Sequence, residues 1–576
     1  MGSSSIKSCC FLSKARQEGI DMAAKRSLDK SYVVRNIRQK QRFKYKLILE
    51  GIAVGSIVGL VIALFRIMIV KADHARQIAV HLVKVRPVYA FAVLLLLVLI
   101  AWILDKLIRF EPDISGSGIP QIEGELKGLE DQNWRKVLIA KFAGCVLAIG
   151  GGLALGREGP SIQLGGMIGK GFARRKNALL TEERLLMSCG AGAGLAAAFG
   201  APLAGVLFAL EELHKNFSAE VLISTMAASA AADYVAVNII GLQPVFNFNV
   251  DHRIPLRLYW AVILLGVILG VFGVIYNKTL DKMQDLFGRF HSSFISIGIM
   301  MMVSFLMMFI YPAVLGSGND LVEAISSGKF ALGALAILLG AKFFFSTGSF
   351  GTGTPGGIFL PLLVIGAITG GLYSTFLSNV FGVEEYYIKG FVIIAMAGYF
   401  SAIVRAPITG VILITEMTGN FMTLLSLVAT SLVAYVVADL LGGEPVYDQL
   451  MHRRQRVKSE SGDIMPDHEY LTDVYNKEDK KYIKKRISIR ERKVVIDSSV
   501  HYGSHMDGRA VMDMGLPEGS LIVSVMRDGK EIIPHGSTII NGGDDLEILC
   551  RLKDIAATEA VLDEKCKVVA LSDKHE

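Results

Sequence analysis

Long apolar runs dominate the first three-quarters of the chain. Leu47–Val70, Pro87–Ile108, Leu256–Tyr276, Ile295–Leu315 and Leu425–Leu441 approach or exceed the roughly 20 residues a helix needs to cross a bilayer. Between them lie shorter apolar stretches broken by glycine and proline: "GSGIP" (116–120), "GREGP" (156–160), "GAPLAG" (200–205), "GTGTPGGIFLP" (351–361) and "RAPITG" (405–410). A straight spanning helix has no use for such punctuation. A helix that stops inside the membrane does, because its freed backbone groups can then face a cavity or an ion.

A repeat runs beneath this pattern. "APLAGV" at 201–206 returns as "APITGV" at 406–411, and Gly156, Gly159 and Gly169 align with Gly353, Gly356 and Gly366, an offset of 197. Two matches in the same order predict a duplicated half of roughly 200 residues, with a binding site expected where the halves meet. The pattern divides the chain into a basic amphipathic lead-in (1–46), a membrane region (47–447), a charged linker (448–482), a compact polar domain (483–568) and a short tail (569–576).

Composition agrees with a membrane protein: 52% of residues are hydrophobic, 20% are charged, and there are 59 glycines among 576 residues. The net charge of +7 does not point to nucleic acid, because the basic residues cluster beside apolar runs, as in "VVRNIRQKQRFKYK" (33–46) and "GKGFARRK" (169–176). Such flanks favour the cytoplasmic side, so a multi-pass protein of the cell membrane with both termini in the cytoplasm is expected. Cysteines 9, 10, 145, 189, 550 and 566 have neither metal-ligand spacing nor the look of a disulfide framework. The first 30 residues lack the apolar core of a cleavable signal, and "MGSSSI" misses the myristoylation pattern at its sixth position. No nucleophile–base set, metal cluster or cofactor fingerprint appears, so no enzyme, catalytic residue, metal or cofactor is expected.

The breaks suggest a chemistry. A helix N-terminus presents unpaired N–H groups and about half a positive charge, and binds anions without a cationic side chain. Helices beginning at Gly116–Ile119, Gly156–Pro160 and Gly356–Pro361 and aimed at one point would form an anion site weak enough for the ion to leave again. Inside one of these breaks sits the adjacent pair Arg157–Glu158, and a charge at membrane depth is usually functional.

"GSGIP", "GREGP" and "GGIFLP" (356–361), in that order, resemble the CLC family of chloride channels and proton-coupled chloride antiporters, over about residues 45–450. The resemblance implies an all-α polytopic membrane protein built as an inverted repeat with broken helices, working as a homodimer in lipid, each subunit with its own chloride pathway. It implies that Ser117, Tyr447 and the backbone N–H groups of Ile358 and Phe359 hold the chloride. It makes Gly116, Gly118, Gly156, Gly159, Gly356 and Gly357 the helix-break glycines, Glu158 the gating and proton-accepting carboxylate, and Glu212 of "ALEELHKNF" (209–217) the internal proton-transfer residue of an antiporter. Plain alternatives stand beside these roles. Ser117 could be a turn cap, Tyr447 an interfacial anchor, Glu158 the partner of Arg157, and Glu211 and Glu212 solvated charges at a helix end. A passive voltage- or ligand-gated channel is the alternative in mechanism, and a transport-inactive nucleotide sensor the alternative in class.

The polar domain reads as small α/β: strands at 493–499 and 544–551, a short helix and turn at 508–519, and a hairpin at 520–534 about Asp528-Gly529. "LPEGSLIVSVMRDGKEIIPHGSTIINGGDDLEIL" resembles the TrkA-C (RCK-C) domain, which implies dimerisation and regulation by a small ligand such as cyclic-di-AMP. Arg509, near the expected helix start, and His535 are the candidate phosphate contacts. The alternative is that this domain only cements the dimer.

Overall fold

A computed structural model describes residues 4–178, 180–215, 218–241, 245–246, 248, 252–290, 292–328, 330–460, 493–501, 503–527 and 530–567. It divides the chain into two compact units, Met1–Arg454 and Gln455–Glu576. Residues 461–482 of the expected linker, 483–492 of the expected polar domain, the side chains of Cys9 and Cys10 and the hairpin tip Asp528-Gly529 lie outside the described residues.

Among the described residues of the first unit the regular elements are all helices. Its first half runs α1 (Ser4–Val85), α2 (Tyr89–Phe110), α3 (Ile119–Leu126), α4 (Trp134–Gly150), α5 (Glu158–Arg175), α6 (Leu180–Phe199), α7 (Pro202–Phe208) and α8 (Ala219–Ile240). The second half repeats this succession as α9 (Tyr259–Gly288), α10 (Ser293–Ile310), α11 (Asn319–Ser326), α12 (Leu332–Gly351), α13 (Phe359–Phe381), α14 (Ile388–Val404), α15 (Pro407–Thr418) and α16 (Leu424–Leu440), and α17 (Val446–Glu460) follows. Eight helices among the described residues are long and apolar enough to span a membrane. Helices α3, α7 and α11, with eight, seven and eight residues, are too short to do so.

The register of the duplication differs from the sequence expectation. Gly156 does not correspond to Gly353; it forms an antiparallel bridge with Gly357, 201 positions on. The same offset relates the starts of α5 and α13, at Glu158 and Phe359. Glycines spaced by about one helical turn allow either alignment, and packing selects one. Gly165 and Gly169 of α5 lie against the carbonyls of Gly190 and Leu186 in α6, and Gly366 and Gly370 of α13 against those of Ala395 and Phe391 in α14. A methyl group on Gly165 or Gly190 would collide with the opposing backbone, so only glycine permits this approach of helix to helix.

The halves grip one another reciprocally, as a two-fold requires. Gly116 N–H donates to Gly353 O at 3.1 Å, and Gly316 N–H to Gly152 O at 3.0 Å. Glu211, at the end of the first "APLAGV" segment, accepts from the amides of Ile408 (3.2 Å) and Thr409 (2.7 Å) at the start of α15. Its counterpart Glu416 accepts from Leu203 (3.1 Å) and Ala204 (2.8 Å) at the start of α7. Each half thus supplies the acidic N-cap that the other half's proline-started helix lacks.

The second unit is a four-stranded antiparallel sheet in the order β1-β6-β3-β4, with β1 (Lys493–Ser499), β3 (Leu521–Arg527), β4 (Lys530–Ile532) and β6 (Asp545–Arg551). β2 (Arg509–Ala510) pairs with β5 (Ile539–Ile540), and α18 (Ile555–Leu562) follows the sheet. Along β6, Leu546, Ile548 and Cys550 are buried at period two. The segment expected to be a short helix and turn at 508–519 is instead strand β2 followed by a single 3-10 turn, Val511–Met514, because its backbone is drawn onto β5 and the turn ahead of it, Val511 N–H donating to Thr538 O at 2.9 Å.

Removing one cap tests the reciprocal clasp. Glu211→Ala leaves two backbone donors and the Thr409 hydroxyl without their acceptor. The melting of the detergent-solubilised protein should then report a loss of about 1–3 kcal/mol, with Glu416→Ala giving a similar loss.

Candidate functional site

Three helix starts converge at the centre of the first unit. α3, α5 and α13 begin after Gly118, Arg157 and Ile358, and in none of them does a side chain cap the end. Their first intrahelical bonds are Ile122 to Gly118 (3.1 Å), Ser161 to Arg157 (2.9 Å) and Leu362 to Ile358 (3.0 Å). The amides ahead of those bonds therefore have no partner within the helix. Each first turn contains a proline, Pro120, Pro160 or Pro361, which starts a helix without adding a donor.

Short-range stitching holds these ends together. The Gly156–Gly357 bridge closes with N···O distances of 2.6 and 2.8 Å, and Gly356 N–H donates to Gly116 O at 3.0 Å. Gly116 and Gly118 take left-handed backbone angles, φ 66° and 98°, which fold the loop so that the Ser117 hydroxyl lies over Gly159 in the first turn of α5. Beneath the loop the fully buried Lys141 of α4 donates to the carbonyls of Ile114 at 2.8 Å and Gly116 at 2.7 Å. The ammonium neutralises the carbonyls on the loop's rear and leaves its amide side facing forward.

Glu158 is fully buried. Its Oε2 accepts from the Leu360 amide of α13 at 3.4 Å, while Oε1 has no hydrogen-bond partner. No Arg157–Glu158 ion pair exists among the described residues. The carboxylate lies where two helix ends would otherwise hold an anion. Ser117 Oγ and Tyr447 Oη are likewise buried with no partner in the structure, and Phe359 packs its ring on Phe199 and Phe400, at centroid distances of 5.5 and 4.6 Å. Buried polar groups are normally satisfied. Three left open near these uncapped helix ends mark room for a small ligand.

Glu212 lies in a π-helical turn, Ala209–His214, that Lys215 ends in the left-handed conformation (φ 51°); π-turns are frequent at functional sites. It is buried, 4% exposed, unlike its neighbour Glu211. A charge cluster surrounds it: Lys215 pairs with Glu123 at 3.3 Å and Asp448 at 2.5 Å, and Lys127 with Glu123 at 2.9 Å. Asp448 directly follows Tyr447, so α17 links this cluster to the candidate site around Ser117 and Glu158. The same helix is clasped by Arg454, which pairs with Glu130 at 2.7 Å and with Asp113, just ahead of the Ser117 loop.

Against this geometry, the family model described as voltage gated chloride channel matches residues 96–439. The chain belongs to the CLC family. The H(+)/Cl(-) exchange transporter ClcA of Vibrio cholerae is 35% identical over 450 residues, covering 75% of this chain and 95% of that protein. The transporter of the same name from Salmonella typhi is 32% identical over 435 residues, covering 73% and 91%. Among solved structures, a slow cyanobacterial Cl-/H+ antiporter superposes with a TM-score of 0.68 at 32% identity, covering 71% of this chain and 97% of that one. A CLC-type fluoride/proton antiporter, at 21% identity and a TM-score of 0.60, shares the fold. The polar domain matches the TrkA-C domain over residues 495–563.

The expected residues fall in three places. Ser117, Glu158, Ile358 and Phe359 meet through the stitched loops of α3, α5 and α13, with Tyr447 buried at the start of α17. Glu212 stands apart in its own charged cluster. Arg509 and His535 are both exposed in the second unit; Arg509 is on β2 rather than at a helix start, and His535 lies in the turn ahead of β5. Sequence reading missed Lys141 and assigned Glu211 only a surface role. Lys342, 201 positions after Lys141, was the available signal, since a lysine repeated in an apolar helix at the duplication offset is seldom accidental.

Lys141 offers a direct test of the loop. In Lys141→Met the carbonyls of Ile114 and Gly116 lose their donor, and chloride affinity by calorimetry should fall about tenfold, the weight of one charge-assisted hydrogen bond.

Proposed function

We propose that this chain is a proton-coupled chloride antiporter. The observation carrying the proposal is the buried, half-satisfied Glu158 carboxylate at the amides of α13, accompanied by a second buried carboxylate, Glu212, in a separate polar cluster. Chloride binds among the Ser117 and Tyr447 hydroxyls and the amides of Ile358 and Phe359. A carboxylate and a chloride compete for the same helix ends, so an arriving anion favours the displaced Glu158, which takes a proton. Protons pass between Glu158 and Glu212 while chloride moves the opposite way. The likeness to transporters named for H(+)/Cl(-) exchange supports this reading over a passive channel.

In this reading the protein is a homodimer in the cell membrane with cytoplasmic termini, and its TrkA-C domain regulates transport. The regulatory ligand is a phosphate-bearing nucleotide such as cyclic-di-AMP, contacted by Arg509 and His535. The exposure of both side chains leaves them accessible for such contacts.

Reconstitution into liposomes tests the coupling. A chloride gradient should drive proton movement in the wild type. Glu158→Gln should pass chloride without proton movement, and Glu212→Gln should retain chloride flux while proton flux falls at least about tenfold, as expected when a proton-transfer group is removed. Chloride flux that never moves protons in the wild type would instead identify a channel.

A further inference from the structure

The duplication copies more than the helices. The second half contains its own "GSG", Gly316-Ser317-Gly318, ahead of α11, where the first half has Gly116-Ser117-Gly118 ahead of α3. Gly316 and Gly318 take the same left-handed angles, φ 64° and 87°. Lys342 of α12 lies behind this loop as Lys141 lies behind the other, donating to Val314 O at 2.8 Å and Gly316 O at 2.9 Å. No side chain caps α11, just as none caps α3.

This second loop opens on a cavity of about 650 Å³ whose lining includes Ser317, Asn319, Arg76 and Arg157. The Arg76 side chain is only 9% exposed and pairs with Asp73 at 2.6 Å through Nη2. Its Nη1 is buried against Gly316 and has no hydrogen-bond partner, and Arg157 Nε also lacks one. Asp73, Asp320 and His74 line the cavity too. The two carboxylates offset the two guanidiniums, so the cavity is no cationic trap, and its unpartnered N–H groups would hold an anion briefly rather than trap it.

We propose that the Gly316–Gly318 loop, with Arg76 and Arg157, is a second anion site, a loading station for the transported halide next to the gate. It deepens the antiporter reading and rests on it for the identity of the ion. Arg157 ties station to gate, since it precedes Glu158 and lines the cavity. The two serine loops then mark two stations of one pathway, related by the duplication.

Bromide scatters anomalously and stands in for chloride, so crystals of the full chain grown in bromide test this directly. The expected map has one peak beside Ser117 and Tyr447 and a second between Arg76 and Ser317. Arg76→Gln should remove the second peak and keep the first. Should Arg76→Gln fail to fold, Ser317→Ala should lower the second peak's occupancy while leaving the first. Bromide beside Ser117 with none in the cavity overturns the station and leaves the antiporter reading intact. Bromide at neither place overturns both. A cavity peak that survives both substitutions assigns the ion to other groups and overturns the proposal as well. In liposomes, the chloride concentration giving half-maximal flux from the cavity's side should rise about tenfold in Arg76→Gln, the weight of one charge-assisted hydrogen bond; an unchanged value contradicts the station.

Discussion

Helix ends left deliberately uncapped are the constraint around which this protein is built. An unpaired amide inside a membrane costs several kcal/mol, and α3, α5 and α13 each bury such amides at one place. That cost is tolerable only when something anionic sits there. In the present structure Glu158 partly fills the role, reaching across from α5 to the Leu360 amide. In the proposed mechanism the unsatisfied hydroxyls of Ser117 and Tyr447 are the donors that remain for a second, mobile anion. In that mechanism carboxylate and chloride want the same donors, so the site is bistable, and a proton that neutralises the carboxylate shifts the balance between them.

Holding three helix ends together without capping them requires rigidity from elsewhere. It comes from glycine-to-backbone packing of α5 on α6 and α13 on α14, from the Gly156–Gly357 bridge, and from the exchange of N-caps by Glu211 and Glu416. Each device spans the two-fold or occurs once in each half. Lys141 and Lys342 belong to the same scheme: buried ammoniums satisfy the outward carbonyls of the two serine loops so that their amides can face the ion path. Duplication thus supplies both the frame and two versions of the same loop.

Much of this was legible in the sequence, for identifiable reasons. Glycine and proline mark helix breaks irrespective of context, so the starts of α3, α5 and α13 could be placed from "GSGIP", "GREGP" and "GGIFLP" alone. The register of the repeat could not, because glycines one turn apart match at either of two offsets and only packing against α6 and α14 decides. The separation of Glu211 from Glu212 was also out of reach: adjacent residues on a helix point apart, and only the tertiary packing decides that one caps α15 while the other is buried. In the polar domain, the alternation of β1, β3 and β6 predicted strands where they occur. Arg509 was misplaced because a two-residue strand has too little sequence to announce itself.

The central claim is that chloride and the Glu158 carboxylate compete for one set of backbone donors. Linkage makes that claim measurable without transport, since binding that displaces a carboxylate must draw in protons if the displaced group is to be neutralised. Chloride binding to the detergent-solubilised protein, measured by calorimetry in buffers of different ionisation enthalpy, should show proton uptake that disappears in Glu158→Gln. Chloride binding in the wild type with no proton uptake across the neutral pH range would contradict the account.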